Sequence, residues 1–484
     1  MASYAGVRGI RNVSGVSCHI SSALQVIYHG LPELRQALIH LADASGGGCG
    51  RDEDNDGADA PLTSAQFVYQ LGLLFKILSS KDMGVDVSAD EVAATPAVDP
   101  MALYDVLPSS LNYRDVGDAA TALRVILTTI RLELEELRNS KLEFDKNILK
   151  DTSNLLDACL CGSTVQRIEG TMRTIEVVAS GKKISKLVKR RKPDKERKLT
   201  VPFPIPIKGY SCLYDALASV TTDAQAINGY DWETVDEYEQ SEMIVDDDDD
   251  DDDDGNDDDD VNEEEDSVSS DSSSESSDPS SSDSSSDTSS SSSSYSYSSS
   301  SSEEEVGVWK TNKYSLLNEV PQYLLLHLKR FEYRGGQVQK LSSVLDVPKK
   351  LDIAPYSTNS QGGDGEYELF AGIVHIDEPI EVATNDIDED AGHYVSYVRL
   401  GQECKGDSGI DSIDAQMAEC KISENTTQWV EINDEKVTAF DGETGKNQVL
   451  NVLSGRYFKK EKAGGHKKGS KYATILLYRR TNTN

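Results

Sequence analysis

The sixty residues 246–305 contain little besides Asp, Glu and Ser, hold 25 of the chain's 85 acidic residues and include no Lys or Arg. Such a run cannot bury enough apolar surface to offset the entropy of ordering it, so it is expected to be disordered. Whatever folds must be assembled from its two flanks, which together are long enough to bury a sizeable core. The run also carries most of the formal net charge of −37, leaving about −12 on the flanks. A moderately acidic body of this kind is not expected to take nucleic acid as a partner. The simplest reading of the run is a solvated spacer; its serines followed by acids, in 267–271 and 282–287, also suit an acid-directed kinase. A basic counterpart, Lys182-Lys183-Ile184-Ser185-Lys186-Leu187-Val188-Lys189-Arg190-Arg191-Lys192-Pro193, reads either as a nuclear-import signal or as an exposed hairpin connection paired with the acidic run.

In the first flank, Gly9-Ile10-Arg11-Asn12-Val13-Ser14-Gly15-Val16-Ser17-Cys18-His19-Ile20-Ser21-Ser22-Ala23-Leu24-Gln25 sets a cysteine at the mouth of a helix. Ile20, Ala23, Leu24 and Ile27 recur at helical spacing, so a Gly/Ser-rich loop ends at Cys18 and an amphipathic helix begins there. The helix dipole then favours thiolate over thiol. A lone cysteine is ordinarily a buried structural residue; a base elsewhere in the chain changes that reading. Gly392-His393-Tyr394-Val395-Ser396-Tyr397-Val398 reads as a strand that His393 enters after a glycine whose missing side chain leaves room for a substrate backbone. Gln428-Trp429-Val430-Glu431-Ile432-Asn433-Asp434 is a second strand, ending in two residues able to accept a hydrogen bond from an imidazole. Cys, then His, then Asn or Asp is a papain-like order.

These residues resemble the ubiquitin-specific proteases. The family's Cys box matches 18–25 closely, and its His region resembles Tyr367-Glu368-Leu369-Phe370-Ala371-Gly372-Ile373-Val374-His375 followed by Gly392-His393-Tyr394. Its third box resembles 429–437, its Leu-Lys-Arg-Phe strand resembles 320–331, and its closing strand resembles 472–480. The resemblance implies an α+β, papain-like cysteine protease over 1–484. Its parts would be a helical thumb at 1–150, β-rich fingers at 155–240 and 306–333, and a β-rich palm at 334–480, with the acidic run interrupting the fingers. It further implies Cys18 as nucleophile, His393 as base, Asn433 as orienter with Asp434 as secondary partner, and Asn12 as an oxyanion donor. Asp118, Gly392 and Tyr394 are implied on the substrate side. The substrate would be ubiquitin joined through its C-terminal glycine to a lysine of another protein, with no cofactor.

The chain also departs from the family pattern. Five residues rather than four separate Asn12 from Cys18, His19 replaces an aromatic residue, Ser21 replaces Asn, and Val116-Gly117-Asp118 stands for Gln-Gln-Asp. An inactive relative that binds ubiquitin, or a protease for a ubiquitin-like modifier, are the alternatives these departures keep open. The four-cysteine zinc site that many relatives carry has no ligands here, so no structural metal is expected. His375 and His327, each inside an apolar strand, are read as core residues, and the acidic segment between His375 and Gly392 as either a gate or a tolerated surface loop. The seven cysteines form no paired framework, and neither a signal peptide nor a membrane span is apparent. A soluble protein of the cytoplasm or nucleus, without membrane partners, is the expectation.

Overall fold

The computed structural model describes residues 7–46, 66–80, 96–139, 146–177, 183–235, 237–245, 307–334, 337–358, 365–377, 380–381, 387–388, 392–400, 428–456 and 470–481. The Asp/Glu/Ser run and most of the acidic segment before Gly392 lie outside them. The chain divides into two compact units, one of Met1–Ile168, Lys192–Ile227 and Asn312–Asn484 and one of Glu169–Arg191 and Asn228–Thr311.

In the first unit, helices α1 (Cys18–Gly30), α2 (Pro32–Gly46), α3 (Gln66–Ser79), α4 (Met101–Tyr104), α5 (Ala119–Asn139) and α6 (Lys146–Leu160) precede a mixed sheet. In α5, Ala119, Leu123, Ile126, Ile130, Leu134 and Leu137 recur at three- and four-residue steps and are buried, which fixes its inner face. Asp118 caps it, Oδ2 accepting the Thr121 N–H at 2.9 Å. Helix α1 differs from the amphipathic expectation, since twelve of its thirteen residues are buried. It packs between α5 and the strand His393–Leu400, so both its faces meet protein. Two of its polar residues find partners there: Gln25 Nε2 donates to the Arg8 carbonyl at 3.0 Å, and Ser21 Oγ meets Tyr104 Oη at 3.2 Å.

The sheet runs Lys436–Phe440, Gln428–Asn433, His393–Leu400, Glu366–Ile376, Lys471–Arg480, Tyr323–Lys329 and Phe203–Pro206 in spatial order, with Lys350–Asp352 beside Glu366–Ile376. Only the last pair of that order, Tyr323–Lys329 with Phe203–Pro206, is parallel. Its central strands read as near-continuous apolar runs because both faces are covered. Leu325, Ala371, Ile373, Val398 and Leu477 point into the core built with the helices. Leu324, Leu326, Val374, Val395 and Leu476 point into a second core on the other face. Two helices interrupt the strand-rich parts, α7 (Leu213–Ala218) and α8 (Gly442–Leu453). Two glycines hide α8 from a sequence reading, yet Gly445, Val449, Val452 and Leu453 are its buried side.

Arg330 is fully buried, and no carboxylate among the described residues pairs with it. Its guanidinium instead donates to the carbonyls of Ala473 (2.7 Å), Leu341 (3.0 Å) and Ser343 (2.8 Å) and stands 4.9 Å from the Tyr472 ring centroid. Burial lowers its pKa to about 10, so the group is still a cation at neutral pH. Arg330→Ala, which strands three buried carbonyls, should lower the unfolding free energy by at least about 3 kcal/mol in a denaturant titration.

In the second unit, 169–177 pairs antiparallel with 183–191, which pairs in turn with Glu239–Val245. Lys183–Arg191 is thus a strand, so that part of the basic stretch belongs to the sheet ladder. Trp232 is buried, with Nε1 donating to Thr311 Oγ1 at 2.8 Å and its ring against Gly170, where a Cβ would meet Nε1 at 2.4 Å. Arg190 lies over the rings of Tyr238 and Trp309.

Candidate active site

Cys18 is the first residue of α1, with Ser17 as N-cap. It is 2% exposed, and its Sγ receives the Tyr394 backbone N–H at 3.5 Å. His393 opens its strand beside Ile376, and its Nε2 lies 2.8 Å from Asn433 Oδ1. An amide oxygen only accepts, so Nε2 carries the proton of that bond and Nδ1 is the nitrogen left for the ring's hydrogen bond with Cys18. Burial alone would lower the His393 pKa; the Cys18 sulfur above all, then the Asp434 carboxylate and the Asn433 amide, outweigh it and raise the pKa to about 9.

Asn433 ends its strand and pairs with Lys436, so Asp434 and Glu435 form a two-residue hairpin loop. Asp434 has φ 50°, the left-handed conformation that such loops demand and that Asp tolerates. Its carbonyl accepts the Ile10 N–H at 3.0 Å, and its Oδ2 accepts from Asn12 Nδ2 at 3.0 Å and lies 3.8 Å from His393 Nε2. Gly9 lets the hairpin tip approach, since a Cβ there would meet the Asp434 carbonyl oxygen at 2.2 Å. Burial raises the Asp434 carboxyl above its usual range, against the lowering pull of Asn12 and His393, and Oδ1 has no partner among the described residues.

The loop between Asn12 and Cys18 turns through Gly15, whose φ is 78°. Asn12 Oδ1 accepts both the Ser17 N–H (3.1 Å) and the Ser17 hydroxyl (2.8 Å). The backbone donor identifies that atom as oxygen, so the amide nitrogen faces Asp434. One N–H of Asn12 is thereby engaged with the Asp434 side chain.

Asp118 and Tyr394 are brought together, Tyr394 Oη donating to Asp118 Oδ1 at 3.3 Å while Asp118 also caps α5. Gly392, expected from sequence to clear a path for substrate, is buried, and what it clears is the ring of His375, which a Cβ would approach to 1.8 Å of Nε2. His375 is a core residue, stacked on Tyr472 and edge-on to Tyr394, with Nδ1 3.2 Å from Asp377 Oδ1. Gly392→Ala should therefore cost about 1–3 kcal/mol by overpacking and shift His393, visible as a lower Tm together with slower turnover. Sequence reasoning had no means of finding the His375–Gly392 contact, because it depends on how two strands pair.

His19 is also buried. Its Nδ1 donates to the Val16 carbonyl at 3.0 Å, burial lowers its pKa, and Nε2 abuts Gly117. A cavity of about 220 Å³ beside it is lined by Asn112, Asp115, Asp118 and Thr121 among others. Among the described residues no group of three or more His, Cys, Asp or Glu is placed to hold a metal ion, and no helix is long and apolar enough to cross a membrane.

A family model described as ubiquitin carboxyl-terminal hydrolase matches residues 8–478. The chain is 31% identical to Ubl carboxyl-terminal hydrolase 18 of Homo sapiens over 24% of its own length and 31% of that protein's. It is 30% identical to ubiquitin carboxyl-terminal hydrolase 45 of Homo sapiens over 25% of its length and 15% of that protein's. It is 32% identical to ubiquitin carboxyl-terminal hydrolase 17-like protein D of Mus musculus over 32% of its length and 26% of that protein's. The chain thus spans about a third or less of the length of these curated relatives. Among solved structures, a SAGA DUB module containing Ubp8 and bound to monoubiquitin matches with a TM-score of 0.50 at 15% identity, covering 100% of this chain and 71% of that one, a likeness of fold. With the family model spanning nearly its full length, the chain belongs to the ubiquitin carboxyl-terminal hydrolase family, the ubiquitin-specific proteases that its sequence boxes resemble.

Proposed function

We propose that this chain is a thiol-dependent deubiquitinase, hydrolysing the bond between the C-terminal glycine of ubiquitin and a lysine amine. The observation that carries the reading is the convergence of Cys18, His393 and Asn433 from three separate segments at the mouth of one helix. His393 takes the Cys18 proton on Nδ1, and the resulting thiolate attacks the glycine carbonyl. The imidazolium then gives that proton to the departing lysine amine as the C–N bond breaks. A water, deprotonated by His393, hydrolyses the thioester to release ubiquitin and restore the thiol. Asn433 keeps the ring in the tautomer and orientation this cycle needs. The Cys18 N–H and the remaining Asn12 N–H serve the oxyanion, and Asp118 with Tyr394 forms the wall on the substrate's side.

Ubiquitin carrying a C-terminal fluorogenic amide tests the reading: wild type should release the fluorophore and Asn12→Ala should do so about 10²-fold more slowly. No release by wild type would refute it. The likeness to a relative named Ubl carboxyl-terminal hydrolase favours one second reading, a protease for a ubiquitin-like modifier, for which the same amide on that modifier would be the better substrate. We place this activity inside the cell, in cytoplasm or nucleus, on the unpaired cysteine usage.

A further inference from the structure

Two of the departures from the family's boxes meet in space, and neither has a part in the steps above. The His19 ring lies against Gly117, where a Cβ would come within 2.4 Å of Nε2. The family's glutamine at 117 would therefore collide with this ring, and the histidine fits because its neighbour is glycine. Both residues line the cavity of about 220 Å³, which offers far more room than one structural water needs. His19 is 2% exposed, and its Nδ1 hydrogen goes to the Val16 carbonyl at 3.0 Å. Burial outweighs the Val16 carbonyl, Asp118 and Asp115 and lowers the pKa, so the ring is neutral near pH 7 and Nε2 carries a lone pair. No donor among the described residues meets that lone pair.

Asp115 and Asp118 line the same cavity, and none of its lining residues is lysine or arginine. Asp118 accepts the Thr121 N–H and the Tyr394 hydroxyl, and Asp115 accepts from Asn112 Nδ2 at 2.9 Å. These donors are neutral, so both carboxylates keep their charge. Two carboxylates and an imidazole lone pair around one cavity suit a ligand that carries a positive charge and several N–H groups, as a guanidinium does. The cavity also adjoins the nucleophile. His19 follows Cys18, and Asp118 holds the hydroxyl of Tyr394, whose backbone N–H meets the Cys18 sulfur at 3.5 Å. We propose that this cavity is a subsite for an arginine side chain in the tail of the substrate, with His19 and Gly117, in place of an aromatic residue and a glutamine, as its specificity-determining residues. The proposal rests on the hydrolase reading, because the glycine that reaches Cys18 is what brings the tail there.

The test uses fluorogenic ubiquitin amides with arginine, citrulline or alanine placed in turn at successive positions upstream of the C-terminal glycine. Citrulline keeps the shape of arginine without its charge. At one position arginine should give kcat/KM about tenfold above citrulline, expressed in KM because the contact is remote from the reacting carbonyl. That ratio should fall toward one in Gly117→Ala, whose Cβ drives into the imidazole, and in His19→Phe, which removes the lone pair. It should fall in part in Asp115→Asn, a change at an exposed residue that leaves the fold intact. No arginine preference at any position, or one that survives all three variants, would overturn the proposal. A readout without turnover separates it from the hydrolase reading: in Cys18→Ala, the arginine-bearing tail should shift the NMR resonances of the His19 ring and the citrulline-bearing tail should not. Turnover by wild type with no such difference refutes the subsite alone. The difference without any turnover refutes the hydrolase reading and keeps the cation site. Free acetyl-arginine amide binding as tightly as the tail would also overturn the proposal, since the tail would then contribute nothing.

Discussion

Cys18→Ala will remove turnover of ubiquitin conjugates, by roughly 10⁶ if the nucleophile and base act as a unit as they do in other acyl-transfer sites. The size of the loss follows from chemistry rather than packing. Alanine fits the first turn of α1 and deletes only the buried sulfur, so the helix, its contacts with the His393 strand and the oxyanion N–H at position 18 all persist. What disappears is the atom that would form the thioester in the proposed mechanism. The variant should still bind ubiquitin, and its Tm should stay close to wild type, separating lost chemistry from lost structure.

His393→Ala should be as severe, and combining it with Cys18→Ala should cost little more, because neither residue works without the other. The pH dependence carries a second signature. With the His393 pKa raised to about 9, the imidazolium persists through neutral pH, and turnover should fall on the alkaline side with a midpoint near 9. In Cys18→Ala the largest raising influence on the ring is gone, and the His393 pKa measured by NMR should drop. Stability follows the same linkage: the folded value lies above the free value of 6.5, so the contribution of His393 to folding is complete below about pH 6.5 and is lost as pH climbs to about 9. A His393 pKa that is the same in both proteins would remove the coupling on which the mechanism depends.

The parts of the site readable in sequence were those written in short local patterns. Apolar residues at 20, 23, 24 and 27 place Cys18 at a helix start, alternation after Gly392 makes His393 a strand residue, and the run at 428–433 ends where a hairpin can present Asn433. What could not be read is what those patterns meet. The α1 helix looks amphipathic because Ser21, Ser22 and Gln25 are polar, and its burial on both sides depends on partners such as Tyr104 and Arg8 that lie far off in the chain. Gly392 signals a close approach without saying to what, and the answer, His375, is on the neighbouring strand. The additional residue after Asn12 puts the oxyanion donor in question on paper, and the bond from the Ser17 N–H to the Asn12 amide oxygen could not be read there. Helix α8 went unread because glycine at 442 and 445 speaks against a helix, and only the Phe440 backbone pressing on Gly445 explains the second of them.

The central claim is that Cys18 is the nucleophile for the ubiquitin C-terminus. The most direct measurement is the intact mass and modified peptide of the protein after reaction with ubiquitin bearing a C-terminal electrophile. A single adduct of one ubiquitin on Cys18, lost in Cys18→Ala and in His393→Ala, is the predicted result. An adduct on another cysteine, or labelling that survives Cys18→Ala, would contradict it.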